Sequence, residues 1–274
     1  MQSWFVYSLR FLLFAAIISS NTTAYDQERE FFTEYRVSAV PDEEYAKVSS
    51  YIDHFMRAFA NTTYKSIYLI DYYKKTFLYV SDNPLFLCGL SPKDVKELGF
   101  DFYLNYVPYV EQKMLIEINH AGFQFIRTVE PEERYKYTIS YSFHICPPHK
   151  EPLLINHKVT PVLLTKKGDI WLALCTAQLS SESASGHIEM TCQTNNKLWR
   201  LENGLWKEYP GVELTENERS MLRLTVGGLS IEKIADRLLR SAETIKSYRR
   251  FVFKKLEVGN ITEAIMMAIN KKLI

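Results

Sequence analysis

Eight polar and charged residues near the C-terminus have types and a spacing suited to binding a polyanion. They lie between Ser241 and Leu256, a stretch that reads as one helix, and they are Glu243, Thr244, Lys246, Ser247, Arg249, Arg250, Lys254 and Lys255. At about 100° per residue, Ile245, Val252 and Leu256 share one sector of this helix, and five of the eight lie on the opposite sector. One sector can pack, and the other is free to face phosphates and base edges.

Positive charge is concentrated in this part of the chain. Between Ser230 and Leu256, eight basic residues stand against three acidic ones, whereas the 274 residues together sum to +1 at pH 7. A local excess of five charges favours a polyanionic partner, because each neutralised phosphate releases counterions. The alternative is a small helical bundle whose basic face is only solvated.

Two further helices must position this one. Thr215 and Glu218 have capping-box spacing, so a first helix is predicted to start near Glu216 and to end at Gly227-Gly228. Ser230 can cap a second helix, a short turn follows at Leu239-Arg240, and Ser241 can cap the third. The residues predicted to be buried in the first two helices are Met221, Leu222, Leu224, Ile231, Ile234, Ala235 and Leu238. This order predicts a helix-turn-helix, in which the third helix enters the major groove.

The segment resembles the LuxR-type helix-turn-helix, a family shared by quorum-sensing regulators and many response regulators. The matching residues are Leu214-Thr215, Glu218, Leu222, Gly228-Leu229-Ser230, Ile234-Ala235, Leu238, Ser241, Thr244-Ile245-Lys246, Arg249, Lys254-Lys255-Leu256, Val258 and Ala264. A fourth helix, roughly Ile261 to Asn270, also fits, and in the family it commonly forms the dimer contact. Tyr248, Phe251 and Asn217 depart from the pattern, in which histidine, asparagine and arginine are frequent there.

The resemblance implies double-stranded promoter DNA as the partner and a homodimer as the assembly. Glu243, Thr244 and Ser247 lie early and outward in the third helix, so we expect them to contact base edges. Lys246, Arg249, Arg250, Lys254 and Lys255 are expected mostly to hold phosphates.

The rest of the chain is long enough for a second compact domain, since 47% of all residues are hydrophobic. Cys88, Cys146, Cys175 and Cys192 have no paired spacing, which predicts neither a zinc module nor a disulfide framework and is typical of a reducing compartment.

Residues 41–180 have the pattern of one mixed domain. A helix starting after Pro41 repeats apolar residues at helical spacing, and they are Tyr45, Val48, Ile52, Phe55, Met56 and Phe59. The predicted elements that follow are strands Ser66–Asp71 and Thr76–Val80, short helices from Pro84 and Ser91, a helix from Tyr109 to Ala121 ending before Gly122, and strands Tyr135–Ile145, Leu153–Leu164 and Asp169–Ala177. Strict alternation along Tyr135–Ile145 indicates one covered face and one wet face.

This order resembles a PAS domain, and IYLIDYYKKTFLYVSDN resembles the opening hairpin of PAS modules joined to LuxR-type tails. Such a core can enclose a small-molecule ligand, bind a protein partner or be filled by its own side chains, and the sequence leaves these open. No cofactor is expected, because the flavin-binding cysteine context is missing and His120 and His144 are poorly placed for haem.

The set His144-x-Cys146-x-x-His149, with His157 further on, could bind zinc. Pro147-Pro148 makes that loop stiff and no second ligand pair is near, so no metal site is predicted. Glycine-rich phosphate loops, a nucleophile elbow and motif-placed paired carboxylates are missing too, which speaks against an enzyme.

We divide the chain into an uncertain N-terminal segment (1–40), a PAS-like domain (41–180), a connecting hairpin (181–210) and a LuxR-type domain (211–274). The hairpin would turn at Asn203-Gly204 and be anchored by Trp199, Trp206 and Tyr209. The apolar run Phe11–Ile18 after Arg10 reads as a secretory signal. We take it as a start codon assigned too far upstream or as a short helix packing on the sensor, with a membrane tether as the alternative.

The predicted fold class is α+β: a PAS-like antiparallel sheet with short helices, followed by an all-α four-helix helix-turn-helix domain. The predicted function is that of a cytoplasmic one-component transcription regulator. The alternative is a PAS-based interaction module or a membrane-tethered signalling module, whose helical tail binds a protein partner.

Overall fold

The computed structural model describes residues 35–194 and 197–274, apart from the side chains of residues 49 and 50. They belong to two compact units, one ending at Tyr209 and one spanning Pro210–Ile274. The apolar run Phe11–Ile18, with its predicted signal-like or packing role, lies outside the described residues. Within the described ranges, no helix is both long and apolar enough to cross a membrane.

The N-terminal unit is an antiparallel sheet with one helix ahead of its first strand and four helices between its second and third strands. Its helices are α1 (Asp42–Asn61), α2 (Pro84–Leu87), α3 (Pro92–Leu98), α4 (Asp101–Tyr106) and α5 (Tyr109–Arg127). Its strands are β1 (Ser66–Asp71), β2 (Thr76–Val80), β3 (Tyr137–Ile145), β4 (Leu153–Leu164), β5 (Ile170–Leu179), β6 (Gly186–Cys192), β7 (Lys197–Glu202) and β8 (Leu205–Pro210).

The strand order is β2-β1-β5-β4-β3-β6-β7-β8. The first five strands, with α2 to α5 between β2 and β3, have the PAS arrangement that the sequence predicted. Strands β6 to β8 extend this sheet from the β3 edge, since β6 pairs with β3 and β7 with β6. The α+β fold class is confirmed.

The alternation predicted for β3 is correct for the face of the strand that packs in the core. Tyr141, Phe143 and Ile145 are all buried in the main hydrophobic core. The strand begins at Tyr137 and not at Tyr135, because Pro131–Lys136 forms a 3-10 turn ahead of it. Ser142, on the face predicted to be wet, is also buried, and its hydroxyl lies 2.9 Å from the Ser180 hydroxyl.

Helix α5 does not end before Gly122, as the sequence predicted, but continues to Arg127. Gly122 lies inside the helix, where a β-carbon would come within 2.8 Å of Ile139 Cδ1. The glycine therefore allows the helix to approach β3 closely, and it is not a stop signal.

Helix α1 packs one side on the outer face of the sheet. Tyr45 and Met56 are buried against Leu69, Trp171 and neighbouring residues. Two residues of the predicted apolar stripe are not covered, since Phe55 is 69% and Phe59 38% exposed. Their rings stack on each other at 6.5 Å at the rim of the stripe, so the inward-facing stripe is narrower than predicted.

The β7–β8 hairpin turns at Asn203 and Gly204, both with positive φ, as the asparagine-glycine pair predicted. Trp199 is buried beside Met190 and Cys192. The Trp206 indole N–H donates to the Ala121 carbonyl of α5 at 3.0 Å. These two residues anchor the hairpin by packing and by a hydrogen bond.

The C-terminal unit consists of α6 (Glu216–Val226), α7 (Ile231–Leu238), α8 (Ala242–Leu256) and α9 (Ile261–Asn270). Its core is formed by Leu214, Met221, Leu222, Ile234, Ala235, Ile245, Val252, Leu256, Ala264 and Ala268. The predicted four-helix architecture is confirmed.

Candidate nucleic-acid interface

Side-chain caps fix the start of each helix that supports the interface. Thr215 and Glu218 form the predicted capping box at α6, and Ser230 accepts from Lys233 N at α7. Ser241 Oγ accepts from Thr244 N at 3.1 Å at the start of α8. Because the caps satisfy backbone donors that the helix leaves unpaired, they set where each helix begins.

The turn between α7 and α8 is tight. Leu239 has a left-handed backbone (φ 53), and Arg240 N donates to the Ala235 carbonyl at 2.9 Å. This closes α7 and redirects the chain within three residues. Leu239 is 85% exposed. It therefore contributes to the turn through its backbone conformation and not through packing of its side chain.

Helix α8 presents one buried and one exposed face. Ile245, Val252 and Leu256 are buried in the core of the C-terminal unit. The eight candidate residues lie elsewhere on the helix: Glu243, Lys246, Arg250, Lys254 and Lys255 are exposed, and Thr244, Ser247 and Arg249 are half-buried. None of the eight belongs to the buried sector, and we call the exposed and half-buried surface that they form the outward face of α8.

Contacts along the outward face are weak. Lys246 Nζ lies 3.7 Å from Glu243 Oε2, and Arg250 donates to Ser247 Oγ at 3.1 Å. The Arg249 guanidinium lies 5.2 Å from the centre of the Phe253 ring. Exposed pairs of this kind contribute little stability, so these side chains can exchange their partners for phosphates at small cost.

Lys255 differs from the other basic residues of α8. Its Nζ donates to Glu218 Oε2 at 2.7 Å, and the Glu218 side chain is only 4% exposed. Burial alone would raise the pKa of Glu218, but hydrogen bonds from Lys255 and Thr215 outweigh it and lower that pKa from its usual value. Lys255 thus joins α8 to α6, a contact that the sequence did not reveal. Its predicted phosphate contact stays a prediction.

A cavity of about 50 Å³ lies in the N-terminal unit between α5 and the sheet. Its lining is mostly apolar, and it consists of Tyr72, Ile118, Asn119, Gly122, Phe123, Ile126, Tyr137, Ile139, Val159, Pro161, Ile170, Ala173 and Met190. One ordered water needs roughly 10–15 Å³, so the cavity has space for only a few non-hydrogen atoms unless its walls move.

The predicted metal and haem candidates are dispersed. His144 Nδ1 lies 2.7 Å from Glu111 Oε1, and exposed His120 contacts Gln124. Within the described residues there is no group of three histidine, cysteine, aspartate or glutamate side chains arranged to hold a metal ion.

His157, which the sequence analysis considered only as a distant zinc-ligand candidate, is buried in the core. It is 1% exposed, its Nε2 is hydrogen-bonded to the Tyr68 hydroxyl, and burial lowers its pKa to about 3. Its Nδ1 has no hydrogen-bond partner among the described residues. The burial of His157 could have been predicted from the sequence, because His157 lies two residues after Ile155 and so on the same face of β4.

Residues 212–268 match the luxR family of bacterial regulatory proteins. The C-terminal unit is therefore a LuxR-type helix-turn-helix domain, and the chain carries the DNA-binding domain of a transcription regulator. The family comprises regulators and not enzymes, in agreement with the sequence-based prediction. No curated protein matches the chain.

Several solved structures are similar to the chain at low identity. A phage VqmA–DPO complex is 18% identical, covers 82% of this chain and 90% of its own, and has a TM-score of 0.29. The Vibrio cholerae VqmA dimer solved in the absence of target DNA is 16% identical, and the match covers 80% of this chain and 87% of that one, with a TM-score of 0.32. The N-terminal domain of a Marinobacter aquaeolei diguanylate cyclase with a PAS/PAC sensor is 11% identical. The match covers 42% of this chain and 94% of that one, with a TM-score of 0.31.

Proposed function

We propose that the chain is a one-component transcription regulator of the cytoplasm, in which the PAS-like unit binds a small molecule and the LuxR-type unit binds promoter DNA as a homodimer. The observation that carries the DNA-binding role is the outward face of α8. Its cationic side chains stand opposite a fully packed apolar sector, directly after the tight turn of a helix-turn-helix.

Within this face, Glu243, Thr244 and Ser247 are assigned to base edges, because they lie in the first two turns of α8. Lys246, Arg249, Arg250 and Lys254 are assigned to phosphates. Lys255 is assigned a shared role, since it already neutralises Glu218 at 2.7 Å and only part of its charge is left for a phosphate.

The cavity supports a ligand that is small, uncharged and mostly apolar. Its lining includes no charged side chain. Asn119 offers both a donor and an acceptor at its wall, and within the described residues its amide has no hydrogen-bond partner. One polar group on an apolar ligand would match this arrangement.

The chain itself supplies a route from the cavity towards the LuxR-type unit. Gly122 of α5 and Met190 of β6 both line the cavity, and Trp206 of β8 is hydrogen-bonded to Ala121, the neighbour of Gly122. Strand β8 ends at Pro210, where the C-terminal unit begins. A ligand that displaces α5 would act on this hairpin and favour one dimer arrangement over another. Only an arrangement whose recognition helices are about 34 Å apart would bind two half-sites tightly.

The DNA-binding role is tested by titrating a selected DNA duplex with the full chain at several salt concentrations. Lys246→Ala should weaken binding to all sequences and lower the slope of log affinity against log salt by about one. Lys93→Ala removes the same charge from an exposed site in the PAS-like unit and should leave the slope unchanged. An unaltered slope in Lys246→Ala would remove the phosphate role of Lys246, and binding indifferent to DNA would favour a protein partner for the helical tail.

A further inference from the structure

Phe251 is a large apolar residue on the outward face of α8. Within this helix, all of whose residues are described, it is the one large hydrophobic side chain that is mostly exposed, at 57%. It follows Ser247 by four residues and precedes Lys254 by three, so it lies one helical turn from each on the same side. The exposed ring of Phe251 therefore lies on the face of α8 that is assigned to DNA.

The described residues leave more than half of the Phe251 surface exposed. Its aromatic neighbours in sequence, Tyr248 and Phe253, pack against the core of the C-terminal unit, whereas Phe251 does not belong to that cluster. Its ring stacks on no aromatic side chain among the described residues. A single exposed apolar residue elsewhere on a protein surface needs no explanation. Phe251 differs, because binding of α8 in the major groove of DNA would bring its ring against the base edges.

The major groove offers such a side chain little choice of partner. Base edges there present hydrogen-bonding atoms, which an aromatic ring would desolvate without replacing their hydrogen bonds. Thymine alone adds an apolar group, its 5-methyl. A phenylalanine in the groove therefore discriminates by contact with a thymine methyl, and it loses free energy against the other bases.

We infer that Phe251 contacts the 5-methyl group of a thymine and so makes the regulator prefer thymine at one position of each half-site. The inference rests on the proposed DNA-binding function and adds a sequence-determining residue to it. It also gives a specific role to one of the two residues of this helix, Tyr248 and Phe251, that depart from the pattern of the resembled family.

The test uses a duplex selected by the purified full chain from a random library. Each thymine is then replaced in turn by deoxyuridine, which lacks the 5-methyl but keeps the same pairing atoms. The wild type should lose about fourfold in affinity at one thymine of each half-site, the effect of removing about one buried methyl group from a contact. Phe251→Ala should bind the thymine duplex several-fold more weakly and show no further loss with deoxyuridine at that position.

Phe251→Ala in the protein and deoxyuridine in the DNA thus form a double-substitution cycle. If their effects on the binding free energy do not add, the ring and the methyl group are in contact. The salt slope of Phe251→Ala should equal that of the wild type, because an apolar contact releases no counterions. Val226→Ala, at another exposed apolar residue of the C-terminal unit, serves as the control and should respond to deoxyuridine as the wild type does.

Three outcomes are distinguishable. If the wild type binds no duplex, the proposed DNA-binding function fails. If it binds but the effects of Phe251→Ala and of deoxyuridine add at every position, the thymine contact is overturned while DNA binding stands. A reduced salt slope in Phe251→Ala would instead show that the substitution acts by disturbing phosphate contacts of neighbouring basic residues, and it would also overturn the inference.

Discussion

The pairing of Glu218 with Lys255 shows how a single residue can serve the fold and the interface together. The carboxylate is nearly buried, and it accepts hydrogen bonds from Lys255 Nζ and from Thr215 N, both at 2.7 Å. It caps α6 and ties α6 to α8 in the same geometry. The two residues are 37 positions apart, so no local pattern could have revealed the pair.

Loss of the lysine should destabilise the C-terminal unit. Lys255→Ala leaves Glu218 buried without its cation, and we expect the free energy of unfolding to fall by about 1–2 kcal/mol, a value reduced for the 36% exposure of the lysine. Urea unfolding of the full chain measures this. Lys254→Ala, which removes an exposed charge from the adjacent position, should change stability by less than about 0.5 kcal/mol. Equal effects of the two substitutions would contradict the structural role.

His157 should make the PAS-like unit sensitive to mild acid. Its folded pKa of about 3 lies below the ordinary value of 6.5, so the unfolded chain takes up the proton first. Stability is therefore complete above pH 6.5 and falls as the pH drops towards 3, by up to roughly 1.4 kcal/mol per pH unit.

The contribution of His157 can be isolated by substitution. His157→Phe keeps an aromatic ring in the core, and Tyr68 keeps its contact with the Tyr103 hydroxyl at 2.8 Å. The variant should lose less stability than the wild type between pH 6 and 4.5. His54→Phe, at an exposed site on α1, should retain the wild-type pH dependence. A pH dependence that His157→Phe leaves unchanged would show that this imidazole is not the titrating group.

At the scale of elements, the best-predicted features depend on local chemistry. The capping residues and the asparagine-glycine turn fix element ends through contacts within a few residues, and α9 and the first two strands have the predicted bounds. The less accurate ones depend on tertiary contacts. Gly122 lies inside α5 at the point where Ile139 leaves no room for a side chain, and Phe55 is exposed because the sheet covers only a narrow stripe of α1. Neither contact can be read from periodicity.

The hairpin β7–β8 is held on α5 by the Trp206 indole. Trp206→Phe retains a ring near Phe125 but removes the donor to the Ala121 carbonyl. We expect the PAS-like unit to lose about 1 kcal/mol of unfolding free energy, the typical contribution of one hydrogen bond. Leu205→Ala, at an exposed position at the start of the same strand, should alter stability by less than about 0.5 kcal/mol. Urea unfolding followed by circular dichroism compares the two, and a Trp206→Phe variant as stable as the wild type would argue against this anchor.

At the scale of the whole molecule, we propose that a ligand in the cavity of the PAS-like unit controls DNA binding by the helix α8 of the other unit. The sequence predicted the two architectures but not the cavity, because the lining comes from α5, from strands β3, β4, β5 and β6, and from Tyr72 after β1. Residues so distant in the chain share a wall only after the sheet has formed.

Ligand binding in that cavity can be tested without knowing the ligand. Native mass spectrometry of the purified full chain should find a small molecule bound, and Gly122→Val should abolish it, because the added carbons enter the space near Ile139. Gly186→Val, at a glycine with open space around its β-carbon position but a strained backbone, controls for general destabilisation. Retention of the molecule by Gly122→Val would place its binding site elsewhere.

The central claim is that the outward face of α8 lies in the major groove, and methylation protection of a selected duplex tests it most directly. Dimethyl sulfate modifies guanine N7 in the major groove and adenine N3 in the minor groove. We predict that the bound full chain protects guanine N7 atoms in two patches about one helical turn apart, and that Lys246→Ala weakens both patches equally. Protection of adenine N3 with guanine N7 left reactive would contradict the account.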